Sequence, residues 1–182
     1  MSVHFGCKLH LGCGTKPLPG WVNIDILPGR GDLQDDITKL NHVPDGLASI
    51  IYASHVLEHT TRHTWQAVLA LWIRKLQPGG LLRIAVPNFA ATAQWYLAHG
   101  NLQDVMGLIS GGQRDAYDHH NVIFDNKTLT AGMEAAGCVD IHEWNWRSTE
   151  HADHDDYSQA YLPHMDKDHG TLMSLNLEGK KI

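Results

Sequence analysis

A chain of 182 residues, 43% hydrophobic and 19% charged, has the composition of an ordinary soluble globular protein and the length of one domain, here 1–182. A formal charge of −6, with no run of Lys or Arg, argues against a nucleic-acid backbone as the main partner. The three cysteines (Cys7, Cys13, Cys138) form no CxxC pair, which speaks against a disulfide framework and for a reducing, cytoplasmic setting. No charged segment near Met1 leads into a long apolar run, and no apolar run approaches ~18 residues, so neither a signal peptide nor a membrane partner is expected.

The chain opens on Lys8–Asp25, KLHLGCGTKPLPGWVNID. A buried strand over 8–12 breaks into the turn Gly12-Cys13-Gly14, and a second strand, Trp21 to Asp25, ends on a carboxylate. Strand, glycine turn, strand and acid form the layout of a nucleotide-binding edge in an α/β sheet. Glycine lets the backbone approach a ligand closely, and the acid can accept from ribose hydroxyls. The link from Gly14 to Gly20 contains Pro17 and Pro19 and is too short for a crossover helix; at most one helical turn fits.

An extended piece follows near 32–37, then a turn at Pro44-Asp45-Gly46 and a buried strand over 48–53. Trp65, Val68, Leu69, Trp72 and Leu76 fall on one helical face, which predicts a long helix from about Val56 to Leu76, stopped by Gln77-Pro78-Gly79-Gly80. Leu81 to Val86 is the next strand. Helical segments fill 89–99 and 102–109, and Ser110 to Asn121 is a glycine-rich polar loop. Asp125 or Asn126 caps a helix carrying Leu129, Met133 and Ala136 and closed by Gly137. Val139 to Trp146 predicts a strand with at least one of its tryptophans in the core, 147–170 a long His- and Asp-rich loop exposed to solvent, and 171–180 a last strand. This alternation argues for an α/β fold with a largely parallel sheet.

Several motifs narrow the chemistry. Pro17 stands where a dinucleotide fingerprint needs its third glycine, and Lys16 is misplaced for a phosphate-binding loop. His55-Val56-Leu57-Glu58-His59 matches the H-x-x-E-H zinc motif, with His55 and His59 on one helical face and a third ligand from His151, His154 or a carboxylate. The plainer alternative is a polar helix start lining a cleft. Asp118-His119-His120 follows the end of the fifth strand, where a histidine can take a proton from an acceptor hydroxyl. Arg114 can pair with an acidic acceptor group such as a phosphate, or be a plain surface arginine. Tyr157 to Met165 fits a lid over the cleft or a homodimer contact.

Taken together, LHLGCGTKPLPGWVNIDI, DDITKLNHVPDGLASIIYASHVLEH, LQPGGLLRIAVPN and the closing strand resemble the class I S-adenosylmethionine-dependent methyltransferases, and among these the small predicted methyltransferases of bacterial surface-polysaccharide gene clusters. The resemblance runs from about Lys8 to the C-terminus. It implies a single-domain, Rossmann-like sheet, mostly parallel with an antiparallel C-terminal strand, and S-adenosyl-L-methionine as cofactor. It places Gly12, Cys13 and Gly14, flanked by Leu11 and Thr15, under the methionine part. Asp25, followed by Ile26, accepts from the ribose; Asp36, in preference to Asp35, accepts from the adenine amino group beside Ile37; Ser54 and His55 border the methyl donor. The first crossover helix is shortened or absent, unlike the family's usual pattern. The implied activity is methyl transfer to a small polar acceptor, a hydroxyl of a sugar or sugar nucleotide, with His119 or His120, and then His55, as candidate bases and no metal required. A non-catalytic protein that binds S-adenosylmethionine or a nucleotide is the alternative. Asp25→Ala is expected to abolish cofactor binding with little loss of stability.

Overall fold

The computed structural model describes residues 3–182. Its strands are β1 (Lys8–Leu11), β2 (Val22–Asp25), β3 (Leu33–Gln34), β4 (Ala48–Ser54), β5 (Leu76–Pro87), β6 (Cys138–Glu143), β7 (Tyr161–Leu162), β8 (Thr171–Leu172) and β9 (Ser174–Lys181). Its α-helices are α1 (Trp65–Lys75), α2 (Phe89–His99), α3 (Gln103–Ser110) and α4 (Asn126–Ala135). Seven strands form one sheet in the order β3-β2-β1-β4-β5-β9-β6, and β7 pairs with β8. The pairs β1/β2, β1/β4, β2/β3 and β4/β5 are parallel, and β9 runs antiparallel to both β5 and β6. The expected fold, a mostly parallel sheet with an antiparallel C-terminal strand, is therefore present. Among the described residues no helix is long and apolar enough to cross a membrane.

Strand side chains alternate between faces, and here the two faces differ in kind. Leu9, Leu11, Ile24, Ile51, Ala53, Leu82, Ile84 and Leu177 join Val68, Leu69 and Trp72 of α1 and Leu129 and Met133 of α4 in one apolar core. The opposite face carries a polar row in cross-strand register: Asn23 beside His10, His10 beside Tyr52, Tyr52 beside Arg83, Arg83 beside Glu178. No α-helix among the described residues joins the small cluster on that side; its buried members are Leu18, Trp21, Tyr52, Ala85 and Trp144.

The cover over the polar row is the segment expected to be solvated. His151, Ser158 and Gln159 are buried. Tyr52 donates to Asp156 at 2.6 Å, and Arg83 pairs with Glu150 at 2.9 Å and Glu178 at 2.7 Å. Its polar composition meets the polar sheet row rather than water. The Gly14–Gly20 link lies on the same side without a helix: Leu18 donates its amide to Asn23 Oδ1 at 2.7 Å and accepts from Asn23 Nδ2 at 3.0 Å.

Two further elements differ from expectation. Helix α1 starts at Trp65 rather than Val56; Leu57–His59 is a 3-10 turn. The threonines explain the delay, because their hydroxyls bond the backbone locally in competition with the helix. Thr60 Oγ1 donates to the Leu57 carbonyl at 2.7 Å, and Thr64 Oγ1 accepts from the Thr61 amide at 3.1 Å. Gln77–Gly80 does not precede the next strand but bulges within β5, between the pairs Ala48–Leu76 and Ile50–Leu81.

Candidate functional site

The order β2-β1-β4 brings the carboxyl ends of three parallel strands side by side, where open α/β sheets bind ligands. Leu11 ends β1 fully buried, so only its backbone is on offer. The turn then requires left-handed backbone at Gly12 (φ 63°) and Gly14 (φ 55°). A Cβ on Gly12 would lie 2.5 Å from Val56 Cγ2, whereas the space around Gly14 is open. Cys13 points inward, its sulfur facing Gly31, and burial pushes its thiol up to about 11, which disfavours the reactive thiolate. Thr15 is exposed and Lys16 turns away to pair with Asp155 at 3.9 Å.

Asp25 ends β2 almost buried. One carboxylate oxygen accepts from the Gly14 amide at 2.8 Å and the other from the Leu27 amide at 2.9 Å, so it clamps the glycine turn. Ile26 beside it is half-buried. The two acids after β3 have different surroundings. Asp35 is buried and accepts from the His42 amide at 2.9 Å. Asp36 is half-exposed and accepts from the Thr38 amide at 2.9 Å and hydroxyl at 2.7 Å, with Lys39 at 2.9 Å. Burial pushes Asp36 up, but these contacts outweigh it and hold the carboxyl below its ordinary range. Ile37 is half-buried, and its carbonyl accepts from the Trp72 indole at 2.9 Å.

At the end of β4, Ser54 Oγ is buried without a hydrogen-bond partner. His55 adopts φ 52° and donates its amide to the Ala85 carbonyl at 2.8 Å. Its ring reaches Ser174 Oγ at 3.1 Å through Nε2 and stands 3.5 Å from Glu58 through Nδ1. Burial lowers His55 to about 3 and raises Glu58, fully buried, to about 8. His120 reaches the same carboxylate, its Nε2 3.8 Å from Glu58 Oε1, and burial lowers its pKa too. The glycine-rich loop is pinned there because the Asn121 and Val122 amides donate to the Glu58 carbonyl at 2.8 and 3.2 Å.

The other sequence candidates sit differently. His119 points its ring to solvent and contributes its carbonyl, which accepts from His59 Nδ1 at 3.1 Å. Arg114 is engaged by Asp118 at 2.6 Å. His151 and His154 belong to the cover over the polar row, 4.3 Å from the Tyr52 ring and 6.1 Å from the His10 ring, and so are not partners of Glu58. His55 and His59 do not share a helical face, since His55 precedes the turn that holds His59. The zinc-peptidase pattern thus loses both its helix and its anticipated third ligand. Sequence reasoning missed the meeting of Glu58 and His59 with His120, which lies some 60 residues on in another loop and carries no local signal.

No protein-family model and no curated protein matches the chain. Solved structures do. A SAM-dependent methyltransferase from Archaeoglobus fulgidus superposes with a TM-score of 0.59 at 15% identity, over 97% of this chain and 86% of that one. One from Thermotoga maritima gives 0.62 at 12% identity, over 97% and 83%. The 1,6-didemethyltoxoflavin-N1-methyltransferase of Burkholderia thailandensis, solved with S-adenosylhomocysteine, gives 0.56 at 13% identity, over 98% and 72%. The chain therefore has the fold of the S-adenosylmethionine-dependent methyltransferases.

Proposed function

We propose that this protein transfers a methyl group from S-adenosylmethionine to a small polar acceptor, a hydroxyl of a sugar or sugar nucleotide. The observation that carries this is the glycine turn after β1, clamped by Asp25 at the centre of the β2-β1-β4 strand ends. The residues present suit the cofactor. The space around Gly14 admits a ligand against the backbone, and the nearby charges at Asp25 and Asp36 are acidic, as a sulfonium and an ammonium prefer. Gly12, Cys13 and Gly14 would hold the methionine part, Asp25 the ribose, and Asp36 the adenine amino group. Leu11, Thr15, Ile26 and Ile37 would flank them, with Ser54 and His55 at the methyl donor.

When bound, the cofactor supplies a methyl group already activated by its sulfonium. The chain's task is to orient the acceptor in line with it and to take its proton. His55, the imidazole at the methyl-donor end, is neutral at neutral pH and would take that proton, although the burial that lowers its pKa also makes it a weaker base than a free imidazole. Calorimetry with S-adenosylmethionine and S-adenosylhomocysteine tests the reading. Binding of both is expected, followed by methyl transfer to a member of a sugar-nucleotide panel. If neither compound binds, the site is misplaced; if both bind and no acceptor is methylated, the non-catalytic alternative takes over.

A further inference from the structure

We propose that Glu58, His59 and His120 hold a divalent transition-metal ion. Their ligand atoms lie within 4.8 Å of one another. Glu58 has no exposed surface, and neither carboxylate oxygen has a hydrogen-bond partner. An unpaired carboxylate at such a depth is costly, and the usual remedies are a proton, a donor or a cation.

The surrounding hydrogen bonds leave no donor to aim at it. His120 Nδ1 lies 3.0 Å from the Leu108 carbonyl and His59 Nδ1 3.1 Å from the His119 carbonyl. A carbonyl only accepts, so both protons sit on Nδ1 and both Nε2 lone pairs are bare. His55 resolves the same way. Asn176 Nδ2 donates to the Ser158 carbonyl at 2.9 Å, which turns Asn176 Oδ1 toward Ser174 as an acceptor at 2.8 Å. The Ser174 hydroxyl proton is thereby used, so His55 Nε2 donates to Ser174 and its Nδ1, 3.5 Å from Glu58, is bare as well. Glu58 and the bare lone pairs of His59 and His120 share at most the carboxyl's own proton, and a divalent cation in that proton's place takes the carboxylate and both imidazoles as ligands.

Backbone carbonyls that fix imidazole tautomers are the usual outer shell of a metal site. The two ligand-bearing segments are also joined without any ion: besides the amides on Glu58, Asn121 Nδ2 donates to the His59 carbonyl at 3.1 Å. Two imidazoles and one carboxylate suit zinc, iron(II), cobalt(II) or manganese(II) rather than calcium. Three protein ligands leave positions open for water or for an acceptor oxygen. The metal site does not rest on the proposed methyl transfer, but its use to lower the pKa of an acceptor hydroxyl does.

The test uses full-length protein stripped with chelator, then titrated separately with zinc and manganese chloride in a calorimeter, and with cobalt chloride while visible absorption is recorded. One equivalent of at least one metal per chain is expected. Affinity should fall tenfold or more in each of Glu58→Gln, His59→Ala and His120→Ala, and stay unchanged in the exposed control His169→Ala. Circular dichroism checks that each variant is folded; His59, which is only half-buried, keeps the test decisive if substitution of the fully buried Glu58 unfolds the chain. No binding by the wild type, or binding that survives His59→Ala undiminished, overturns the proposal. Metal binding without S-adenosylmethionine binding upholds the site while removing the methyl-transfer reading.

Discussion

Asp25 accepts from the Gly14 and Leu27 amides with one oxygen each, so the carboxylate proposed to take the ribose also holds the turn beneath the cofactor. Each oxygen has a second lone pair, and the two roles are compatible. Asp25→Ala would strand two amides beside a nearly buried site, and hydrogen bonds to a charged acceptor contribute about 1.5–3 kcal/mol each. The expected outcome is a stability loss of about 3 kcal/mol or more in urea unfolding together with loss of S-adenosylmethionine binding by calorimetry. Unchanged stability with lost binding would reduce Asp25 to a ligand contact alone. The sequence argues for little loss of stability, because a strand-end carboxylate at a cleft contributes little to the core; the two amide contacts argue for a larger one. The acid was legible because it ends an apolar strand. Its grip on Gly14 was not, because it depends on two left-handed residues placing an amide toward the neighbouring strand.

At the scale of elements, legibility follows locality. Helix α2 occupies the residues expected because both ends are coded nearby: Asn88 Oδ1 accepts from the Ala90 and Ala91 amides, and Gly100 closes it at φ 69°. Helix α4 is capped likewise by Asp125, which accepts from the Thr128 amide. The threonine-rich start of α1 read as helix because apolar spacing does not register side chains that compete for the backbone. Where helices meet, the sequence carries still less. Gly132 of α4 lies against Trp65, whose ring carbon a Cβ would approach to 2.3 Å, and Trp65 is itself held edge-on to Phe124 at 5.2 Å. Gly107 of α3 has open space around it. Alanine normally stabilises a helix by about 0.5–1 kcal/mol over glycine. Thermal unfolding should show that gain for Gly107→Ala and a loss of about 1–3 kcal/mol for Gly132→Ala, where overpacking reverses the sign. A stabilised Gly132→Ala would mean that α1 and α4 can move apart freely.

For the whole molecule, the sheet is enclosed in two chemically different ways: by helices over an apolar core, and by the chain from Trp144 onward over a polar row. The second is invisible to composition, since a His- and Asp-rich stretch has the same profile whether it meets water or a matching sheet face. It also makes the fold sensitive to acid. His10 sits inside this layer, its Nδ1 3.0 Å from Asn23 Oδ1 and its ring stacked on Tyr52 at 5.4 Å. His154, His151 and Asp156 of the cover face it. Burial lowers its pKa from 6.5 to about 4, with the Asn23 bond and Asp156 opposing and the two histidines reinforcing the shift. Above 6.5 both folded and unfolded chains hold it neutral, and its full contribution is present. As pH falls below 6.5, the unfolded chain takes up a proton that the folded one refuses until about 4, so stability drains away across that window. At 1.36 kcal/mol per unit, the loss from this one side chain between pH 7 and 4.5 is about 2–3 kcal/mol. His10→Phe keeps a ring against Tyr52 and leaves Asn23 Oδ1 satisfied by the Leu18 amide. Urea unfolding at the two pH values should therefore show the wild type losing about 2–3 kcal/mol more than His10→Phe. Equal losses would mean that protons reach His10 without disturbing the polar layer, and that the cover is not a seal over this face of the sheet.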